Sequence, residues 1–195
     1  YKSLKLRKLK YKLHSCQNRH RHASHLLGLY PGNAITDKTP ELIEACKVSL
    51  LDRGFGQKSG ANGSGWGKAN KVNLWARAKD GERAYSMLRE LINKNIAPNL
   101  WDFHPPYQMD GNCGYTSGVC EMLCYSSDDI IELLPALPEE WKNGSVKGLC
   151  ARGGYSLDFT WENGEIKSLS VYSSCGKKTA RIKTGDEIKT VKTVG

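Results

Sequence analysis

The chain has 195 residues, of which 39% are hydrophobic and 25% charged, so it is long enough for one large or two small globular domains of ordinary composition. No run nears the roughly 18 apolar residues that a membrane-crossing helix requires. Its net charge of +9 is uneven: residues 1–21 hold eight Lys/Arg and no acid, residues 176–195 hold six Lys/Arg and two acids, and the 154 residues between carry −3.

Specific phosphate binding needs cations gathered on one folded surface. Basic ends around an acidic body therefore argue against a specific nucleic-acid partner. "YKSLKLRKLKYKL" retains only the capacity to adhere to polyanions non-specifically. The chain opens without methionine and without a visible apolar leader, so the expected start lies in a segment upstream of Tyr1.

In chain order, residues 1–19 loosely suit a basic amphipathic helix, with Leu4, Leu6, Leu9 and Leu13 as its apolar positions. Tyr30-Pro31-Gly32-Asn33 reads as a turn. Thr39, Pro40 and Glu41 then form a helix start, with Leu42, Ala45, Val48 and Leu51 as its inward stripe and Gly54 as its stop. Residues 54–65 form a polar glycine-rich loop. A second helix spans roughly 66–79, and a third turns Ala84, Leu88, Leu91 and Ile92 inward. After an irregular stretch, a fourth helix is expected at about 115–125. Near residue 128 the pattern changes to a short apolar strand in "DDIIELLPALPEEW". Tyr155, Leu157, Phe159 and Trp161 alternate with polar residues ahead of an Asn163-Gly164 turn, which predicts a β-hairpin over 150–175. The last twenty residues alternate weakly and suit one more strand. The fold class read this way is mostly α followed by β.

Three stretches carry candidate chemistry. "CQNRHRHASH" (16–25) gathers three of the five histidines with Arg19 and Arg21. It suits a metal site, a basic arm, or a polar pocket in which Arg21 and His22 donate to ligand hydroxyls; no carboxylate or second cysteine pair completes a zinc site. "NLWDFHPPYQMDGNCGYTSG" (99–118) is long, yet stiffened by Trp101, Phe103, Tyr107 and Pro105-Pro106. Aromatic faces beside His104 and Asp110 suit a sugar, whose rings offer apolar C–H faces and many hydroxyls. A turn role for Asp-Gly-Asn is the competing reading. "GSGWGKANK" lacks the Ser/Thr of a Walker loop and follows no strand, so phosphate binding is a poor reading. The seven cysteines form no C-x-x-C pair and read as a mixture of buried thiols.

In series, "HRHASHLLGLYPGN", "GSGWGKANKVNLWARAKDGERAYSMLREL", "NLWDFHPPYQMDGNCG" and "IIELLPALPEEWKNGSVKGLCARGGYSLDFTWENG" resemble the C-terminal part of glycoside hydrolase family 95. These are the inverting α-L-fucosidases, with some α-L-galactosidases among them. The resemblance runs collinearly from about His20 to Cys175 and departs from the family at Gly67, Asn70 and Cys113. It implies the last helices of an (α/α)6 barrel over 20–127, a small antiparallel β-domain over 128–195, and an unassigned basic segment over 1–19.

By the same resemblance, Asp110 is the aspartate that polarises a water-holding asparagine, and Arg21, His22 and His104 line the substrate pocket. A fucosylated oligosaccharide or glycan is the substrate, and no cofactor or metal is required. The general acid and the asparagines belong to a missing N-terminal part of the same enzyme, so this chain alone should be inactive. Any export signal would lie there too, leaving localisation open, with a periplasmic or secreted site fitting the family. A non-catalytic carbohydrate-binding remnant built on Trp101, Tyr107, Arg21 and His22 is the alternative, and a basic nucleic-acid-binding protein ranks third.

Overall fold

The computed structural model describes residues 22–54, 65–103, 107–127 and 129–194. The expected helix at 1–19, the glycine-rich loop over 55–64, and the candidates Arg21 and His104 lie outside the described residues. Four helices come first: α1 (Pro40–Asp52), α2 (Gly65–Arg77), α3 (Gly81–Asn95) and α4 (Met109–Leu123). Seven strands follow: β1 (Cys124–Ser126), β2 (Ile131–Leu133), β3 (Gly144–Ala151), β4 (Tyr155–Glu162), β5 (Glu165–Ser173), β6 (Thr179–Thr184) and β7 (Glu187–Lys192). The order of helices and then strands is the one the residue pattern anticipates. Among the described residues no helix is long and apolar enough to cross a membrane.

Helix α2 is the central rod of the helical part. Lys68, Ala69 and every residue from Lys71 to Ala76 on it are buried, because α3 and α4 both pack against it. Close approach of α4 depends on a glycine stripe. A Cβ at Gly114 would stand 2.8 Å from the Ala69 methyl, and one at Gly118 2.5 Å from a Val72 methyl. Asp80 starts α3 by accepting a hydrogen bond from the Arg83 amide at 3.0 Å.

Several helix details differ from expectation, among them Ile92 of α3, expected to face inward but exposed because Ala84, Met87, Leu88 and Leu91 take the packed stripe. Thr39 precedes Pro40 as foreseen, but its hydroxyl is spent on the Thr36 backbone rather than on an α1 amide. Helix α1 buries Ile43, Cys46 and Leu50, leaving Val48 and Leu51 exposed, because apolar residues occur on most of its circumference and only one stripe meets the core.

The strands form two sheets, β1-β2-β6-β7 and β3-β4-β5, antiparallel throughout except for the β2–β6 pair. Leu157, Phe159 and Trp161 of β4, and Val171 of β5, meet Ile131, Leu133, Ala180 and Ile182 of the other sheet in one core. The β4–β5 turn is the anticipated Asn163-Gly164, with φ +51° and +78°. Strand β3 was not foreseen: it has few apolar residues and an irregularity between Val146 and Leu149, where the Gly148 amide (φ +69°) donates to Asp158 at 2.7 Å. The final segment supplies two strands rather than one.

An ion cluster joins the two parts. Lys79, just after α2, contacts Asp37 at 2.6 Å and Glu132 at 2.7 Å, and Lys183 of β6 contacts the same pair at 2.7 and 3.1 Å. Burial works against the Lys183 ammonium, but hydrogen bonds to Asp37 and Glu132 outweigh it and raise its pKa.

Candidate active site

The loop after α3 is held at both ends. Ile96 bridges Asp102 in antiparallel fashion, the Ala97 amide donates to the Trp101 carbonyl at 2.8 Å, and Leu100 turns the chain with φ +67°, a conformation costly for leucine. The Phe103 amide donates to the Asn95 carbonyl at 2.5 Å. This turn drives Asp102 inward until none of it is exposed.

Two glycines make room for that carboxylate. A Cβ at Gly65, the first residue of α2, would sit 1.7 Å from Asp102 Oδ2, and one at Gly111 in the first turn of α4 would sit 1.6 Å from the same oxygen. The carboxylate therefore stands at the starts of two helices, where unpaired amides and the helix dipoles favour negative charge.

Asn112 locks the arrangement. Its Oδ1 accepts from the Asp102 amide at 2.8 Å and its Nδ2 donates to the Leu100 carbonyl at 2.7 Å. Gln108 adds a second lock: its amide donates to the Asp102 carbonyl at 3.1 Å, and its Oε1 accepts from the Trp66 amide at 3.1 Å. Behind the clamp, buried Lys68 donates to Asn95 Oδ1 at 2.8 Å and lies 3.5 Å from Glu90. Burial lowers the Lys68 pKa, while the Glu90 and Asp102 carboxylates pull in the opposite direction.

Asp110 sits on this clamp. It occupies the first turn of α4 and is exposed, so the helix begins at Met109 rather than near 115. Asp-Gly-Asn read as a turn because Gly111 and Gly114 look like breakers; packing of those glycines against Asp102 and Ala69 explains why helix wins. Asn112 ties this helix start to Leu100, which anchors the loop carrying the neighbouring Trp101. Trp101 lies against Tyr107 with ring centroids 4.7 Å apart and the planes tilted by 39°, and Trp101 itself is 56% exposed.

His22 is exposed, and its carbonyl accepts from Arg53 Nη1 at 2.9 Å. The Arg53 carbonyl in turn faces buried Lys71 Nζ at 3.4 Å, with the Gly54 carbonyl at 3.0 Å. A continuous series of contacts thus runs from His22 through the end of α1 to α2. Burial, aided by Arg53, brings the Lys71 pKa down to about 8. His25 is committed to structure, with its Nε2 2.7 Å from the Ser49 hydroxyl and its pKa lowered by burial and by Arg53.

Sequence reasoning missed Asp102. The available signal was a carboxylate flanked by two large aromatics in Trp101-Asp102-Phe103, inside the 99–118 stretch. It also overstated the burial of the thiols: of the described cysteines only Cys46 is fully buried, while Cys113, Cys120, Cys150 and Cys175 are exposed.

Comparison with known proteins agrees with this layout. The profile of the glycosyl hydrolase family 95 catalytic domain matches residues 4–123, and that of the glycoside hydrolase family 95 C-terminal domain matches residues 125–194. The matches meet where α4 passes into β1, and they extend beyond both limits of the resemblance read from motifs. The chain is 38% identical over 167 residues to Alpha-L-fucosidase 2 of Arabidopsis thaliana, covering 79% of this chain and 19% of that protein. It is 36% identical to Probable alpha-fucosidase A of Aspergillus oryzae, covering 75% and 23%, and 33% identical to Probable alpha-fucosidase A of Aspergillus niger, covering 84% and 23%. The chain thus spans only about a fifth of the length of these relatives.

Proposed function

The chain belongs to glycosyl hydrolase family 95, and on that premise we propose that it is the C-terminal portion of an enzyme hydrolysing terminal α-L-fucosyl, or α-L-galactosyl, residues of glycans with inversion. Asp110 accepts a hydrogen bond from an asparagine amide contributed by the upstream part of the protein. That contact pushes electron density onto the amide oxygen, which holds and deprotonates the attacking water. A general acid, also upstream, protonates the leaving oxygen. Inverting catalysis needs two such groups roughly 6.5–9.5 Å apart to admit the water. Arg21, His22 and His104 contact the sugar, and Trp101 with Tyr107 offers it an aromatic face.

One observation carries the reading: Asp110 stands exposed on a helix turn whose backbone is fixed by Gly111, Asn112 and buried Asp102, shortly after the Trp101–Tyr107 pair in the chain. A carboxylate that polarises another group must be held still while remaining reachable. The test follows the anomer released by the longer protein from an α-L-fucosyl oligosaccharide by proton NMR. The β-anomer should appear first, and the chain alone should release none. Initial release of the α-anomer, or turnover by the chain alone, contradicts the proposal.

The carbohydrate-binding alternative, built on Trp101, Tyr107, Arg21 and His22, draws on the Trp101–Tyr107 ring contact. It predicts that the isolated chain binds fucosides without turnover, and a flat calorimetric titration at millimolar ligand removes it.

A further inference from the structure

At the far end of the β-domain, the β5–β6 turn and the end of β7 enclose an open cleft of about 580 Å3. Ser173, Lys177, Lys178, Thr179, Lys192 and Thr193 line it, with no carboxylate among the lining residues. The volume falls in the range of small-molecule sites.

Its backbone is fixed. The Thr193 amide and hydroxyl donate to the Lys178 and Lys177 carbonyls at 3.0 and 2.6 Å, the Lys177 amide donates to Ser173 Oγ at 3.0 Å, and Val194 is tied back to Val171 at 2.8 Å. Lys177 is itself placed, with its ammonium 5.1 Å from the Tyr155 ring centroid and in space that a Cβ at Gly153 would crowd at 2.9 Å.

Several lysines of the domain outside this cleft are ion-paired: Lys142, Lys167, Lys183 and Lys189 all meet a carboxylate. Among the described residues, no carboxylate pairs with Lys177, Lys178 or Lys192. Lysines from the β5–β6 turn and from β7 thus line one cleft with no carboxylate beside them among the described residues, a setting that favours a bound anion.

We propose that this cleft binds an oxyanion carried on a saccharide, a uronate carboxylate or a sulfate ester, and so engages an acidic glycan at a distance from Asp110. The hydroxyls of Thr179, Thr193 and Ser173 suit sugar hydroxyls beside the anion. The concave shape fits one or two sugar rings, whereas a nucleic-acid duplex needs an extended basic face.

The test titrates the full chain with a galacturonate trisaccharide, a sulfated disaccharide, a neutral glucose trisaccharide and a short DNA duplex, using amide NMR and calorimetry. Either charged sugar, or both, should shift the amides of Thr179 and Thr193, and the neutral sugar should not. Lys177→Gln/Lys178→Gln/Lys192→Gln should weaken that binding at least tenfold. Lys142→Gln/Lys167→Gln/Lys189→Gln removes the same charge from ion-paired positions outside the cleft and should leave affinity unchanged. Binding retained by the first variant overturns the proposal, as does equal loss in both, equal binding of the neutral sugar, or tighter binding of the duplex at the same amides. Dispersed spectra of both variants establish that each is folded, and the basic residues 1–21 are common to all.

Discussion

The helical and β parts of the chain distribute polarity in opposite ways. In the β-domain, apolar side chains from two sheets close on one another, and Glu132 is its only fully buried charged group among the described residues. In the helical part, Lys68, Lys71, Asn73, Asn95 and Asp102 are buried, while Leu27, Val48, Leu51, Ile92, Leu100, Trp101, Phe103 and Met109 are exposed. A domain that completes its own core looks like the first. The second exposes more large apolar groups than the β-domain, where Tyr172, Ile188 and Val194 are exposed. Exposed apolar patches mark surfaces that meet further protein or a ligand. The buried polar groups are not idle either: they hold the ends of α1, α2 and α4 where the candidate site lies.

This contrast can be broken or sharpened by substitution. Phe159→Ala, in the closed core of the β-domain, should cost about 3–5 kcal/mol, read as a lowered melting transition for that domain. A loss below about 1 kcal/mol would mean that the β core is less completely packed than described. Gly111→Ala forces a methyl into the Asp102 carboxylate and should destabilise the helical part by roughly 1–3 kcal/mol, seen in chemical denaturation. If it is neutral, the clamp is looser than its geometry.

Lys71 gives a pH signature. Its folded pKa of about 8 lies below the ordinary 10.5, so between those values the unfolded chain holds a proton that the folded chain has released. Wild type should therefore gain stability relative to Lys71→Met as pH rises from 8 towards 10.5, with a constant difference below that window. A difference that shrinks over the same range would show that Lys71 stays charged when folded. The smallest effect on stability is expected from Trp101→Gln with Phe103→Gln, within about 0.5 kcal/mol, although sedimentation should show less self-association than wild type. A monodisperse, cooperatively melting wild-type chain would remove the interface reading of that patch.

The two parts also differ in how openly the sequence displays them. Strand β4 and the Asn163-Gly164 turn were readable because alternation and turn chemistry are local. Helix α3 was readable because Ala84, Leu88 and Leu91 recur at helical spacing. The start of α4 was not, since Gly111 and Gly114 signal a break locally and owe their helical state to packing against Asp102 of the preceding loop and Ala69 of α2. The inward face of α1 was misread for a related reason: several stripes were apolar, and only tertiary packing selects one.

At the candidate site, the resemblance supplied Asp110 and His22, whereas the buried role of Asp102 emerges only when Gly65 and Gly111 converge on it from distant positions. Strand β3 carries too few apolar residues to announce itself. Its place is set by pairing with β4.

The most direct test of the account measures kcat and KM for Asp110→Asn in the longer protein that contains this chain, acting on an α-L-fucosyl oligosaccharide. An amide at this position keeps the shape but loses the charge, which in the proposed mechanism polarises the water-holding group. The expected result is a kcat lower by about 10²–10⁴-fold with KM little changed, the range for positioned acid–base groups, and a kcat within about threefold of wild type would contradict the role assigned to Asp110.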